Sequence, residues 1–312
     1  MKIYTLTLSP AFDLHASAQK IEVSHENLAR VLTREAGGKG VNISRSLSVA
    51  GVENIAVVVL GRENGQNFKN LLQGSGLRCL YIEKEGRIRE NLTIHTADGR
   101  ETRISFTGFS VNRGMLEEIS KAIPVDTDAV VTFTGRVPDG IDMESVRVFL
   151  LTLKARGAKL VLDSRSLSAE DICLLQPWLI KPNQEEVSQY FGCEISTFQQ
   201  AEEKARIFLD HGVENTMVSL GEQGALLLTK DAVLTAVPPQ IQAISTIGAG
   251  DSAIAGFLAA AAVGGNEEEC LRSAVAFGTA ACLTDGSQPP QKDRIDEIIN
   301  KITVIRSESV GG

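Results

Sequence analysis

A carboxylate, two glycines and a run of small apolar residues meet in Ser245-Thr246-Ile247-Gly248-Ala249-Gly250-Asp251-Ser252, which leads straight into residues 253–262. Glycine permits positive φ and close approach of backbone to a ligand, and the segment behind reads as a helix. Free N–H groups and the positive end of a helix dipole converge at that point, which favours an anion. A carboxylate beside a bound anion is out of place unless it takes a proton, so Asp251 is the candidate general base. In isolation a G-x-G-D reads more simply as an Asp capping a helix. The rest of the chain decides between the two.

A second glycine cluster, Ala36-Gly37-Gly38-Lys39-Gly40, opens another helical pattern over 41–50 that stops at Gly51. Lys39 and Asn42 put a charge and an amide at its mouth. The apolar run 3–8 ends at Ser9-Pro10, and Asp13 follows where open α/β sheets place ligand contacts. Between Arg87 and Phe106 the period changes to 2: Arg89, Asn91, Thr93 and His95 alternate with Leu92, Ile94 and Thr96, and 101–106 returns after Ala97-Asp98-Gly99. This hairpin has one polar face. A two-residue Asp98-Gly99 turn would set Arg103 opposite to Arg89. A three-residue turn with Gly99 left-handed sets both on one side, and this is the expected form. Two arginines aimed at one point make a bidentate phosphate clamp; solvated charges that discourage edge pairing are the competing account.

The elements that must position these residues alternate. Strands are expected over 55–60, 77–82, 129–134, 160–163, 179–181, 217–220 and 226–228, and helices over 68–72, 115–123, 143–156 and 270–283. Asn112 is the expected N-cap of helix 115–123, and Asn266 with Glu269 reads as a capping box for helix 270–283. Asp163, Asn183 and Gly221 fall at strand ends, and Gly224 closes a short turn. Residues 14–35 are polar, with short strands at 14–19 and 27–32. Residues 294–305 are partly helical, and 307–312 read as a frayed end.

Length and composition bound the answer. The 312 residues suit one large domain, and a net charge of -8 argues against nucleic acid, because no basic stripe exists to neutralise a phosphate backbone. The five cysteines are scattered, with no C-x-x-C pair, and the four histidines show no metal spacing. No secretory signal opens the chain and no apolar run is long enough for a bilayer, so a cytoplasmic location is expected. There is no G-x-x-x-x-G-K-[ST], no G-x-G-x-x-G after the first strand, and no G-x-S-x-G.

The pairing of Ala36-Gly37-Gly38-Lys39-Gly40-Val41-Asn42 with Ser245-Thr246-Ile247-Gly248-Ala249-Gly250-Asp251-Ser252 resembles the two signatures of the ribokinase-like (PfkB) carbohydrate kinases. Thr7-Leu8-Ser9-Pro10-Ala11-Phe12-Asp13, Arg89-Glu90-Asn91, Lys181-Pro182-Asn183-Gln184-Glu185-Glu186 and Ser219-Leu220-Gly221 look like its 1-phosphofructokinase and tagatose-6-phosphate kinase branch. The resemblance implies an α/β three-layer sandwich with a mostly parallel central sheet, in a single domain over 1–312. It also implies a small β lid inserted from about 14–33 and 87–106. In that reading Asp251 is the catalytic base, and the amides of Gly248, Ala249 and Gly250 hold charge on the transferring phosphoryl group. Asp13, Gly38, Lys39, Asn42 and Asn91 grip the sugar, and Arg89 and Arg103 hold the phosphate it already carries. Lys181, Asn183, Ser219, Gly221 and Gly224 line the ATP site, with Glu186 organising Mg²⁺ through water. The implied reaction is ATP-dependent phosphorylation of a ketohexose phosphate, fructose 1-phosphate first, with fructose 6-phosphate and tagatose 6-phosphate as alternatives. A non-catalytic sugar-phosphate sensor is the alternative of another class, and a homodimer through the lid is implied. Ser9, Thr93 and Arg136 depart from the residues usual at their places.

Overall fold

Side chains alternate along the first strand, β1 (Lys2–Thr7), and sort the interior into two cores. Tyr4 and Leu6 enter one apolar cluster and Ile3 the other. The computed structural model describes residues 1–307. After β1 come β2 (Ala11–Ala18), β3 (Ala29–Gly37), α1 (Lys39–Val49), β4 (Asn54–Gly61), α2 (Gly65–Gln73), β5 (Cys79–Lys84), β6 (Arg89–Thr96), β7 (Glu101–Ser105) and α3 (Gly114–Ala122). The middle holds β8 (Ala129–Thr134), α4 (Met143–Ala155), β9 (Lys159–Asp163), α5 (Ala169–Leu175), β10 (Leu179–Ile180), α6 (Gln184–Phe191), α7 (Phe198–Asp210), β11 (Asn215–Ser219) and β12 (Ala225–Thr229). Last are β13 (Val233–Val237), α8 (Ala249–Ala262), α9 (Glu267–Ala281), α10 (Lys292–Ile299) and β14 (Thr303–Ser307).

Ten strands form one sheet in the order β14-β13-β12-β11-β10-β9-β8-β1-β4-β5. The run from β11 to β5 is parallel, and β12, β13 and β14 add antiparallel pairs. One face packs on α3 and α4 through Met115, Ile119, Phe149 and Leu153, the other on α1, α8 and α9 through Leu47, Phe257, Leu258 and Phe277. Helices on both faces explain why β8 is buried at every residue and reads as a continuous apolar run. This is the expected three-layer α/β sandwich. Gly256 lets α8 and α9 touch, since a Cβ there would lie 2.4 Å from the Ser273 carbonyl. No helix among the described residues is long and apolar enough to cross a membrane.

A second sheet has four strands in the order β3-β2-β6-β7. Its hairpin turns through Ala97, Asp98 and Gly99, with the Thr96 N–H donating to the Arg100 carbonyl at 2.9 Å and Gly99 at φ 81. Arg103 pairs across from Thr93, on the side of Arg89 and Asn91, as a three-residue turn requires.

Several elements were not visible in sequence. Helices α5, α6 and α7 begin at Ser168/Asp171, Asn183/Glu186 and Thr197/Gln200 capping boxes. Strand β13 also went unread, and the tail 294–305 divides into α10 and β14. Asn112 accepts from the Gly114 N–H at 3.0 Å, but helix α3 is capped at Arg113, one residue later than expected. Ser307 pairs with Val233, and the rest of the expected frayed end lies outside the described residues.

Candidate active site

The first turns of α1 and α8 face each other. Helix α1 has no side-chain cap from Gly38, and the Thr7 hydroxyl at the end of β1 takes over by accepting from the Val41 N–H at 2.9 Å. Helix α8 starts from Gly248 at φ 79, a left-handed turn closed by the Ser252 N–H on the Gly248 carbonyl at 2.9 Å. Gly250 is helical, so only one of the two glycines uses positive φ. Between the helices Asn42 Nδ2 donates to Asp251 Oδ2 at 2.9 Å, and Ser46 and Ser252 hydroxyls lie 3.1 Å apart.

Asp251 is 5% exposed. Burial is the main reason its pKa rises from 3.8 to about 6; Asp163 adds to the rise, while Lys39, the Asn42 amide and Lys181 oppose it. Asp163, at the end of β9, lies 2.9 Å from Lys39 and 3.8 Å from Lys181. Burial opposes its charge, yet the two lysines hold its pKa below the ordinary value. Lys39 in turn is desolvated, but Asp163 and then Asp251 push it up to about 12. The result is an alternating cluster in which both carboxylates stand near the same cations.

A cavity of about 690 Å³ opens over this cluster. It gathers Asp13, Gly38, Lys39, Asn42, Arg89, Asn91, Arg103, Lys181, Asn183, Glu186, Gly248, Gly250 and Asp251 from distant parts of the chain. Asn91 bridges two of them, donating to Asp13 Oδ1 at 2.7 Å and accepting from Arg89 at 2.9 Å. Arg103 lies 3.8 Å from Asp13. Three buried polar atoms on the lining, Asn42 Oδ1, Arg89 Nε and Ser287 Oγ, have no hydrogen-bond partner among the described residues. Such atoms cost free energy unless a ligand or water meets them.

Ala249, Ser219, Gly221 and Gly224 are not part of this lining. The Ala249 N–H is instead taken up by the turn, donating to the Thr246 carbonyl at 3.3 Å. Ser219 ends β11, where it bridges to Asn183 and its N–H donates to the Pro182 carbonyl at 3.1 Å, and Gly221 and Gly224 follow it. Asn183 and Glu186 carry a structural duty as well: they form the reciprocal capping box of α6 at 2.8 and 3.0 Å. Glu186 also accepts from Arg165 at 3.0 Å.

Asp163, Arg165 and Ser287 line the cavity without having been singled out as site residues. Asp163 had a signal, its place at the end of an apolar strand. Arg165 and Ser287 had none, because only the fold brings their loops to this mouth. Of the departures from the resemblance, Ser9 and Arg136 line the cavity, and Thr93 is buried outside it.

The model of the "pfkB family carbohydrate kinase" matches residues 9–294. The 1-phosphofructokinase of Vibrio cholerae is 30% identical over 306 residues, 97% of this chain and 96% of its own length. That of Bacillus subtilis is 28% identical over 97% of this chain and 99% of its own. Among solved structures, phosphofructokinase-2 from Escherichia coli in complex with substrates and products superposes with a TM-score of 0.89 at 27% identity, covering 96% of this chain and 99% of that one. With the signature loops on one cavity and the family's model matched over nearly its whole length, the chain belongs to the pfkB family of carbohydrate kinases.

Proposed function

We propose that this kinase transfers the γ-phosphoryl group of ATP to a hydroxyl of a ketohexose phosphate, and that fructose 1-phosphate, giving fructose 1,6-bisphosphate, is its acceptor. The observation that carries the reading is the buried Asp251 carboxylate, raised to about 6, on a cavity lined by six basic side chains against four carboxylates in a chain of net charge -8. Two anionic ligands can meet there only if their charge is neutralised locally.

In this reading Asp251 takes the proton of the acceptor hydroxyl as that oxygen bonds to the γ-phosphorus. The bond from phosphorus to the bridging oxygen breaks, and ADP leaves with the electron pair. Gly248 and Gly250 at the start of α8 face the equatorial oxygens, and Lys39 and Lys181 lie close enough to Asp163 to be held ready for negative charge. Asp13, Asn91 and Asn42 orient the sugar, and Arg89 and Arg103 take its existing phosphate. Lys181 and Asn183 begin the ATP site, which Ser219, Gly221 and Gly224 continue along the rim.

Mg²⁺, when bound, offsets the charge of the nucleotide phosphates. Among the described residues no group of three or more His, Cys, Asp or Glu could hold a metal ion, and an ion there would be held through the nucleotide phosphates and water. Glu186 fits that role, since each carboxylate oxygen accepts a single hydrogen bond and keeps a lone pair for a water.

A homodimer through the four-stranded sheet belongs to the same proposal, supported by Leu28, Val31, Leu32, Ile104 and Phe106, all exposed on or beside it. The cytoplasm, where ATP is supplied, is the proposed place of work. The test is ATP turnover against fructose 1-phosphate, fructose 6-phosphate, tagatose 6-phosphate and fructose, with Asp251→Asn as control. Binding of a sugar phosphate with no turnover by the unaltered chain would replace the kinase with a sensor. Preference for fructose 6-phosphate would favour the function named for the 27% identical "ATP-dependent 6-phosphofructokinase isozyme 2" of Escherichia coli.

A further inference from the structure

Four arginines line the cavity, and they are held very differently. Arg165 is tied to Glu186 at 3.0 Å and Glu185 at 3.6 Å. Arg89 donates to the neutral amide of Asn91, and Arg103 stands 3.8 Å from Asp13. Arg136 meets Asp139 at 3.2 Å, with 61% of its side chain exposed. An exposed pair of this kind contributes little, so Asp139 is a weak competitor for the guanidinium.

The backbone under Arg136 is fixed on both sides. The Gly135 N–H donates to the Asp163 carbonyl at 3.1 Å, the Ser164 hydroxyl donates to the Gly135 carbonyl, and the Val137 N–H donates to Ser166 Oγ at 3.2 Å. An exposed, weakly paired cation is thus carried on a pinned turn directly after β8, on the ten-stranded body. Arg89 and Arg103 reach the same cavity from β6 and β7 of the other sheet. Burial, and then the like charges of Arg136 and Arg103, pull the Arg89 pKa below its ordinary value despite Asp13. A dianion among the three would relieve that repulsion.

We propose that Arg136 is a specificity-determining residue that leaves Asp139 to join Arg89 and Arg103 on the phosphate the acceptor already carries. That phosphate then ties the four-stranded sheet to the body of the molecule, and the three guanidiniums select a phosphorylated acceptor over a free hydroxymethyl group. This rests on the proposed acceptor being a sugar phosphate.

The test is steady-state kinetics of the full chain with ATP and either fructose 1-phosphate or fructose, for Arg136→Ser, Arg136→Lys and Asp139→Asn. Arg136→Ser is expected to raise KM for fructose 1-phosphate about tenfold, with kcat changed less than about twofold and KM for ATP unchanged. Arg136→Lys should fall between, since it keeps the charge and loses the fork. Asp139→Asn should lower the same KM, because the competitor is gone. A structural pair would shift both residues' variants in one direction or leave KM alone, and either result overturns the inference. Turnover of fructose by the unaltered chain as good as that of its phosphates would sink the acceptor proposal itself, whereas turnover of the phosphate with unchanged KM in Arg136→Ser sinks only the role of Arg136.

Discussion

The end of the ten-stranded sheet and the four-stranded sheet line the same cavity on opposite terms. On the first, Asp251, Asp163 and Lys181 are 5, 5 and 4% exposed, and their neighbours are fixed by helix caps and strand ends. On the second, β7 is exposed throughout, β3 is exposed over its first six residues, and the Arg103 side chain is 44% exposed. Proton transfer gains from burial, because a carboxylate in low dielectric keeps a basicity that water would remove. Capturing a charged solute gains from the reverse, donors that water can reach and that can rearrange around an arriving anion. In the proposed mechanism the proton transfer falls to the ten-stranded body and most of the phosphate capture to the four-stranded sheet, with Arg136 reaching in from the body.

The sharpest way to break this contrast is Asp251→Asn. Turnover is expected to fall by about a thousandfold, with the affinities for ATP and sugar phosphate changed only a few-fold by calorimetry. In the unaltered chain kcat/KM should rise with pH through about 6 as Asp251 loses its proton. Linkage runs the other way. Its pKa is higher folded than unfolded, so unfolding free energy falls as pH rises from 3.8 to about 6, and Asp251→Asn should flatten that slope in urea melts.

Asp163→Asn comes next. Removing the carboxylate between Lys39 and Lys181 should cost about 3 kcal/mol by urea denaturation, since the buried Lys181 loses its nearest carboxylate. It should also move the acid limb of kcat/KM to lower pH, because Asp163 is one of the groups raising Asp251. On the recognition side, Arg89→Ala and Arg103→Ala should raise KM for the phosphorylated acceptor by about tenfold or more while kcat changes less, with Arg89 the larger because it is the more buried. An equal loss of kcat from either would mean that the two sheets do not divide the work.

Thr7→Val tests rigidity without touching the ligand cavity. It removes the hydroxyl that caps the Val41 N–H and should cost about 1 kcal/mol in a urea melt. Smallest in its effect on folding is Ile104→Thr with Phe106→Ser, expected to change monomer stability by less than about 0.5 kcal/mol while shifting a dimer toward monomer in sedimentation.

The hairpin shows how far local chemistry reaches. Period-2 alternation and a glycine able to turn left-handed were enough to place Arg89 and Arg103 on one side, and the observed register agrees. The Asn266 and Glu269 box was legible for the same reason. The same signature at Asn183 and Glu186 was read as ligand chemistry alone, although it also starts a helix. Strand β14 escaped because it becomes a strand only against β13, Val233 pairing with Ser307 over a long stretch of chain, whereas β13 pairs locally, Val233 lying opposite Leu228 of β12 across a short turn.

Sequence alone determined the α/β order, the two glycine loops and the presence of one carboxylate at a helix start, since each depends on residues a few positions apart. Tertiary structure decided what that carboxylate is worth. Asn42, Lys39, Asp163 and Lys181 reach Asp251 from three other segments, and burial among them sets its affinity for a proton. Ala249 belongs to the right motif yet stays out of the cavity, while Ser287 has no motif and lines it. Distance in space, which composition and spacing do not encode, makes that difference.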